Sequence, residues 1–176
     1  MSKKKTSTFY LTERITMTAS GTPVTATIDL GAYVDVADRQ AIAIEEVDFI
    51  FQGTAADTPL TTSCGADSTM FVQVSDLNRG GTIQFADDRA LVASGHLMLD
   101  YSNNAVTKDS DHFPDVFGAR DGVRLVVNDQ LYLTGEASAV AGSNAVNCTV
   151  RVKAHVASLT AKDWMAIAIQ STAADN

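Results

Sequence analysis

Long hydrophobic runs and cysteines are both scarce in this 176-residue chain. No apolar stretch approaches the roughly eighteen residues that a membrane-spanning helix needs, so the sequence predicts a soluble globular protein. Cys64 and Cys148 are too few for a disulfide framework, and we expect both thiols to be reduced. The first residues, Met-Ser-Lys-Lys-Lys, lack the features of a classical secretory signal. A single domain of this length can bury a stable core without disulfides or metals.

Motifs that would indicate catalysis are also missing. The sequence contains no G-x-S-x-G elbow, no H-E-x-x-H, no C-x-x-C and no dinucleotide-binding fingerprint. A metal-dependent enzyme on a β-barrel, such as a cupin, needs several histidines and a carboxylate that converge, whereas His96, His112 and His155 lie far apart in the sequence. His155 falls on the outward side of its strand, where we expect a plain surface residue. The sequence therefore predicts a protein that is not an enzyme and that holds no cofactor and no metal.

Positive charge is in short supply, because 13 lysines and arginines face 21 acidic residues and leave a formal net charge of −8. Lys3, Lys4 and Lys5 concentrate three of these positive charges at the amino terminus, so the rest of the chain is more acidic than the total suggests. An acidic surface repels nucleic acid and keeps crowded copies soluble. The amino-terminal tail with Lys3, Lys4 and Lys5 would instead attract nucleic acid.

Alternation of apolar and polar residues is the strongest pattern that the sequence does contain. Residues 146–156 alternate without an error, which predicts a strand with one buried and one wet face. About eight such segments, with turn signals roughly every ten residues, predict an antiparallel sandwich or barrel. In residues 41–52 the apolar phase slips by one residue at Glu45 and Glu46, which predicts a β-bulge. Thr160 is placed to cap a short helix at residues 161–170.

The inward-facing positions of these segments predict the core of the domain. It should include Ile28, Ile44, Phe49, Val72, Leu99, Leu125, Leu131, Val150 and Val152. Residues 83–85 are a further strand candidate.

Two acidic runs have a functional alternative. Glu45, Glu46 and Asp48 could serve acid-base or metal chemistry, but a site needs convergent ligands rather than a run, so the bulge is favoured. Asp109, Asp111 and Asp115 offer oxygen ligands, with His112 and Asp121 nearby in the sequence, at a spacing that could hold calcium. No glycine occupies the turn position of a calcium loop and no glutamate closes it, so a solvated loop is favoured there.

The layout of the chain resembles that of the small single jelly-roll capsid proteins of icosahedral viruses, in particular tailless viruses of bacteria and archaea. The resemblance is carried by the strand count, the basic amino-terminal arm, the final strand Val-Arg-Val-Lys-Ala-His-Val at residues 150–156, and the helical segment Leu-Thr-Ala-Lys-Asp-Trp-Met at residues 159–165. It implies an all-β, eight-stranded antiparallel jelly-roll sandwich with a short C-terminal helix. The corresponding division is a basic arm at residues 1–7, a jelly-roll domain at 8–160, and a helix with a tail at 161–176.

The resemblance also implies a function and partners. Such a protein associates with copies of itself into a closed shell, is part of the virion and is assembled in the host cytoplasm. Lys3, Lys4 and Lys5 would then contact the genome nucleic acid or the anionic heads of an internal membrane, on a segment that is mobile without its partner; the alternative is a solubilising terminus. The sequence leaves open whether a second capsid protein takes part.

A second function class shares the expected fold. A non-catalytic β-sandwich that binds carbohydrate or serves in surface adhesion would have similar strands. Such modules usually expose several aromatic side chains on a binding face. Aromatic residues make up only 7% of this chain and include one tryptophan, which favours the capsid interpretation.

Overall fold

The computed structural model describes residues 3–109, 123–140 and 144–173 of the chain. Within them lie ten strands, one α-helix and a short 3-10 turn at Leu60–Thr62. The strands are β1 (Lys3–Lys4), β2 (Phe9–Met17), β3 (Val24–Asp29), β4 (Gln40–Gln52), β5 (Ser68–Ser75), β6 (Leu91–Asp100), β7 (Ala105–Asp109), β8 (Arg124–Val126), β9 (Gln130–Ala137) and β10 (Val146–Ser158), and the helix is α1 (Ala161–Ala173). None of the helices in this part of the chain is long and apolar enough to span a membrane.

The strands form two antiparallel sheets that pack face to face. The first sheet has the order β2-β10-β4-β8, and β1 continues along the same edge of β10 beyond the end of β2. The second sheet has the order β3-β9-β5-β6-β7. Without β1 and β7, each sheet holds four strands, and the chain crosses between the sheets as in two interlocked Greek keys, which is the jelly-roll topology. The predicted jelly-roll sandwich with a C-terminal helix is confirmed, with β1 and β7 as additions.

The core between the sheets is built by strict alternation. Along β10, the even-numbered residues from Val146 to Val156 are buried, while the odd-numbered residues between them are half-buried on the outer side. Eight of the predicted core residues are at most 5% exposed, namely Ile28, Ile44, Phe49, Val72, Leu99, Leu131, Val150 and Val152. Leu125 was assigned wrongly, because Val126 takes the inward position of β8 and Leu125 lies on the outer side under the helix.

The predicted β-bulge lies in β4. Lys153 of β10 pairs with Glu46, and the next residue, Ala154, pairs with Ile44, so Glu45 is the extra residue of the longer strand. This insertion restores the inward direction of the apolar side chains on both sides of it. Ile44 and Val47 are both fully buried as a result.

The helix covers one end of the outer face of the first sheet. Its N-cap is the predicted one, since the Thr160 hydroxyl accepts a hydrogen bond of 3.2 Å from the backbone N–H of Asp163. Trp164, Ile167 and Ala168 pack on a small outer cluster formed by Ala41, Leu125, Val127 and Leu159. The helix continues to Ala173, beyond the predicted end at residue 170.

Two glycines let the sheets approach each other closely. A Cβ atom on Gly95 of β6 would overlap the ring of Phe49, and one on Gly135 of β9 would overlap Ile15. Both glycines face bulky side chains of the opposite sheet, so absence of a side chain at these positions is part of the packing.

Residues 83–85 do not form the predicted strand. The Gln73 side chain instead makes two hydrogen bonds with the backbone of Gln84: its amide nitrogen donates to the carbonyl at 2.8 Å, and its oxygen accepts from the N–H at 2.7 Å. A single side chain therefore supplies the bonds that a neighbouring strand would have made. The segment lies over the outer face of the second sheet, where Gln73 is only 6% exposed.

Candidate functional site

The amino-terminal lysines lie on the first sheet. Lys3 and Lys4 pair with Ser158 and Ala157 of β10, and the backbone N–H of Lys5 donates to the carbonyl of Val156 at 2.8 Å. The prediction that this segment is mobile without a partner is wrong for residues 3–5. The physical reason is that β2 pairs with β10 only as far as Ala154, which leaves polar backbone groups at the end of β10 that the amino-terminal residues satisfy.

Glu45, the extra residue of the bulge, fastens this segment. One carboxylate oxygen, Oε1, lies 2.7 Å from Nδ1 of His155 and 3.4 Å from Nζ of Lys4. The same oxygen accepts a hydrogen bond of 3.1 Å from the hydroxyl of Thr8. We call these four residues the bulge cluster. It joins the amino-terminal segment, β4 and β10 through one carboxylate.

The charge state of the bulge cluster follows from these contacts. Burial raises the pKa of Glu45, but the hydrogen bonds from His155, Thr8 and Lys4 lower it, and the net pKa lies below the ordinary value of 4.5. The carboxylate is therefore ionised at neutral pH and only accepts hydrogen bonds, so Nδ1 of His155 carries the proton between them. The His155 side chain is only 12% exposed. The interpretation of His155 as a plain surface residue is wrong, because the bulge brings an acidic partner beside it.

The structure does not gather the acidic run into a metal or acid-base site. Glu46 pairs with Lys153 at 3.4 Å, away from the bulge cluster. In the ranges that the structure covers, no three His, Cys, Asp or Glu side chains converge closely enough to hold a metal ion. The calcium hypothesis stays a prediction: Asp109 ends β7, and Asp111 and Asp115 lie outside the described residues.

The outer face of the first sheet carries its charges in two stripes. The basic stripe follows β2 and β10 with Arg14, Arg151 and Lys153, and the acidic stripe follows the neighbouring strand β4 with Glu46 and Asp48. Arg151 pairs in register with Asp48, and Lys153 pairs with Glu46. The sequence alone gave no sign of this pattern, since it depends on the order of the strands.

Two large apolar side chains lie on the same striped face. Tyr10 of β2 is 53% exposed, with the guanidinium of Arg151 4.9 Å from the centre of its ring. Ile50 of β4 is 38% exposed. This half of the face is therefore open to solvent and combines charge with apolar area.

A cavity of about 380 Å³ lies over the outer face of the second sheet. Phe71 forms one wall and stacks on His96 with ring centres 4.1 Å apart. Phe85 stands at its rim with 86% of its surface exposed, on the segment that Gln73 fixes. Sequence reasoning missed this site because the segment that closes it was taken for a strand.

The buried titratable side chains outside the bulge cluster include two cysteines and Asp76. Cys64 and Cys148 are both free, as predicted, and both are buried. Burial raises the pKa of Cys148 to about 12, which makes it a poor nucleophile. Asp76, after β5, pairs at 3.0 Å with Arg124 of β8 and so links the two sheets. Burial raises the pKa of Asp76 by more than Arg124 lowers it.

Comparison with known proteins gives likeness in structure only. No family model matches the chain, and no curated protein is similar to it in sequence. Among solved structures, VP1 of Trichodysplasia spinulosa-associated polyomavirus, in complex with sialylated glycooligomers, is 7% identical, with 89% of this chain and 98% of that chain covered and a TM-score of 0.40. A structure of Desmodium yellow mottle tymovirus is 8% identical over 89% of this chain and 93% of that one, with a TM-score of 0.35.

An enzyme also appears among these similar structures. A rhamnosidase from Klebsiella oxytoca with rhamnose bound is 16% identical over 80% of this chain, with a TM-score of 0.37, and the chain spans only 22% of its length. All three TM-scores lie below 0.5. The fold assignment rests on the strand order of the chain itself.

Proposed function

We propose that this protein is a shell-forming capsid protein of a tailless icosahedral virus of bacteria or archaea. Its role is structural rather than catalytic, its main partners are copies of itself, and its place is the virion, after assembly in the host cytoplasm. A second capsid protein can share such a shell. The function of such a protein lies in the contacts that its surface makes with neighbouring subunits.

The observation that supports this proposal is the distribution of exposed apolar side chains on a jelly-roll sandwich. Met165 and Ile169, one helical turn apart, are 59% and 61% exposed on the outer side of α1. Tyr10 and Ile50 are two further exposed apolar side chains, on different strands of the striped face. A shell subunit contacts neighbours on several sides, and it therefore needs several surfaces of this kind.

The test is assembly of the purified full-length protein. We expect light scattering to show species larger than a monomer at high concentration, and negative-stain images to show closed particles. Higher salt should favour assembly, because it screens the repulsion between copies of net charge −8 over about 8 to 10 Å. A strict monomer at every concentration and salt would contradict the proposal.

For the amino-terminal lysines we propose contact with an anionic partner, either genome phosphates or lipid headgroups. Lys4 is held by Glu45, but the side chains of Lys3 and Lys5 are exposed. Each lysine near an anionic surface contributes on the order of 1 kcal/mol, and many copies in a shell add up to a strong attraction.

The tail is tested by replacing Lys3, Lys4 and Lys5 with alanine. Binding of assembled particles to DNA and to anionic vesicles should fall, at low and at moderate salt. A matched control replaces three exposed basic residues elsewhere, Arg39, Lys108 and Lys162, by alanine and so removes the same charge. If the tail variant binds both ligands as well as the parent does, or loses no more binding than the control variant, the proposed contact of these lysines with an anionic partner is wrong.

The cavity beside Phe85 favours a second candidate function, the binding of carbohydrate. Sugar rings pack on aromatic side chains, and Phe71 and Phe85 flank this cavity together with the polar Gln73 and Ser94. Binding to a panel of immobilised glycans should then be lost on Phe85→Ala and kept on Val36→Ala, which removes a side chain that is 66% exposed elsewhere. No glycan binding by the parent protein would rule this function out.

A further inference from the structure

We infer that the striped face is a contact surface for a second copy of this chain, placed across a two-fold axis that runs parallel to the strands between β10 and β4. The inference rests on the proposed shell function and names one of its surfaces. Its starting observation is that the basic and acidic charges of the face are sorted onto different strands.

The sorting follows from the strand register. Residues of β2 and β10 that point outward include Arg14, Arg151 and Lys153, whereas those of β4 include Glu46 and Asp48. Neighbouring strands are about 4.8 Å apart, so the two stripes run side by side along the sheet. A two-fold axis parallel to the strands exchanges left and right but keeps the position along the strands. The basic residues of β10 in one copy, Arg151 and Lys153, then lie over the acidic residues of β4 in the other, while β2 with Arg14 lies over β8.

This arrangement is self-complementary, as a two-fold contact must be. Every charge that already has an opposite neighbour within its own sheet gains another across the contact. A two-fold axis perpendicular to the strands would instead place each stripe over its equal, which like-charge repulsion disfavours. The charge pattern therefore selects the partner and also its orientation.

The face also has the other properties of a contact surface. Tyr10 and Ile50 provide exposed apolar area beside the charges, and Arg151 lies over the Tyr10 ring, a pairing that is common at protein contacts. The helix packs on the far end of the sheet, around Ala41 and Leu125, and leaves the striped half open. Nucleic acid fits this face less well, because the acidic stripe runs directly beside the basic one.

The test reverses the stripes separately. One variant carries Arg151→Glu with Lys153→Glu, and a second carries Glu46→Lys with Asp48→Lys. Each variant has charges of one sign on both β10 and β4, so its association constant should fall about tenfold or more in sedimentation measurements at one fixed ionic strength. An equimolar mixture of the two variants should associate again, since the acidic β10 and β4 of one chain then face the basic β10 and β4 of the other.

The mixture also controls for folding. Each variant alone places like charges next to each other within one sheet, which lowers its stability, and far-UV circular dichroism shows whether it remains folded. A variant with all four reversals restores both the pairs within the sheet and the self-complementary face, and it should associate like the parent. Recovery in the mixture cannot come from stability, because neither chain regains its own pairs.

Three outcomes would overturn the inference. Association that is unchanged in both variants, while the parent still forms particles, places the contacts on other surfaces and leaves the proposed function intact. Two variants that fail to associate even when mixed show that the stripes do not face each other. DNA binding that is lost on reversal of the basic stripe and strengthened on reversal of the acidic stripe, without a change in association, makes the face a nucleic-acid surface. A parent protein that is always monomeric instead refutes the proposed function itself.

Discussion

Replacing Glu45 by glutamine should release the amino-terminal segment without unfolding the domain. The side chain keeps its shape and an oxygen that can accept the hydrogen bond from Thr8, but it loses the charge that attracts Lys4 and His155. What remains on the segment is the short pairing of β1, the backbone bond from Lys5 to Val156, and the bond that the N–H of Val156 donates to the Thr6 hydroxyl. A segment with so few bonds opens locally, at a free energy well below that of global unfolding.

The size of the effect follows from the exposure of the partners. Lys4 is 48% exposed and Glu45 is 21% exposed, so their ion pair belongs to the class of surface pairs that contribute about 0.2 to 1 kcal/mol. The contact at 2.7 Å between His155 and Glu45 is shorter and more buried, and loss of the carboxylate charge weakens it as well. Together we expect the segment to open more easily by about 1 kcal/mol, which corresponds to a roughly fivefold change in the opening equilibrium.

Native-state hydrogen exchange measures this opening directly. The amide of Lys5 should lose about fivefold of its protection in Glu45→Gln, while amides in the centre of β10 keep theirs. Glu46→Gln is the matched control, because it removes the neighbouring charge, which pairs with Lys153 within the sheet. Equal protection of Lys5 in the parent and in Glu45→Gln, or an equal loss in Glu46→Gln, would refute the fastening role of the bulge cluster.

Three further predictions concern stability. The pKa of Glu45 is lowered in the fold, so its stabilising charge is fully present above the ordinary value of 4.5 and is lost as the pH falls through the lowered pKa. The protection of the Lys5 amide, corrected for the pH dependence of the intrinsic exchange rate, should therefore fall below pH 4.5 in the parent and not in Glu45→Gln. Val150→Asp should prevent folding, seen by circular dichroism, because an unpaired buried charge costs an amount comparable with a total stability of about 5 to 15 kcal/mol. Gly95→Ala should cost about 1 to 3 kcal/mol in urea denaturation through overlap with Phe49, and Phe49→Leu in the same chain should recover part of that loss.

The strands and the bulge were predictable because their cause is local. In β10 the polar and apolar residues alternate with the period of the backbone itself, and burial of one face follows directly. In β4 the shift of parity between Ile44 and Val47 requires one extra residue, and only the two glutamates between them can supply it. The structure places the insertion at Glu45.

The bulge cluster was not predictable because its causes are not local. Lys3 and Lys4 have no apolar alternation, and they become a strand only because β10 extends past the end of β2. That difference in length is visible only once the two strands are paired. The environment of His155 depends in turn on the bulge in a strand that lies 110 residues away in the sequence.

The predictions for Leu125 and for residues 83–85 were wrong for a related reason. Alternation in a segment as short as β8 does not decide which of two adjacent apolar residues faces inward, and here the helix supplies a second apolar surface on the outer side for Leu125. For residues 83–85, a side chain competes with a strand as hydrogen-bonding partner, and Gln73 provides both the donor and the acceptor. Hydrophobic periodicity does not reveal a hydrogen-bonding partner that is a side chain of another strand.

The bulge cluster also decides how the amino-terminal lysines can act on an anionic partner. To offer Lys4 to a phosphate, the protein must give up its pair with Glu45, an exchange of one surface ion pair for another that is close to neutral at about 1 kcal/mol each. Lys3 and Lys5 make no such exchange, since their side chains are exposed while the backbone stays paired with β10. We therefore expect any attraction to an anionic partner to come from Lys3 and Lys5, with the segment still paired as a strand on the sheet.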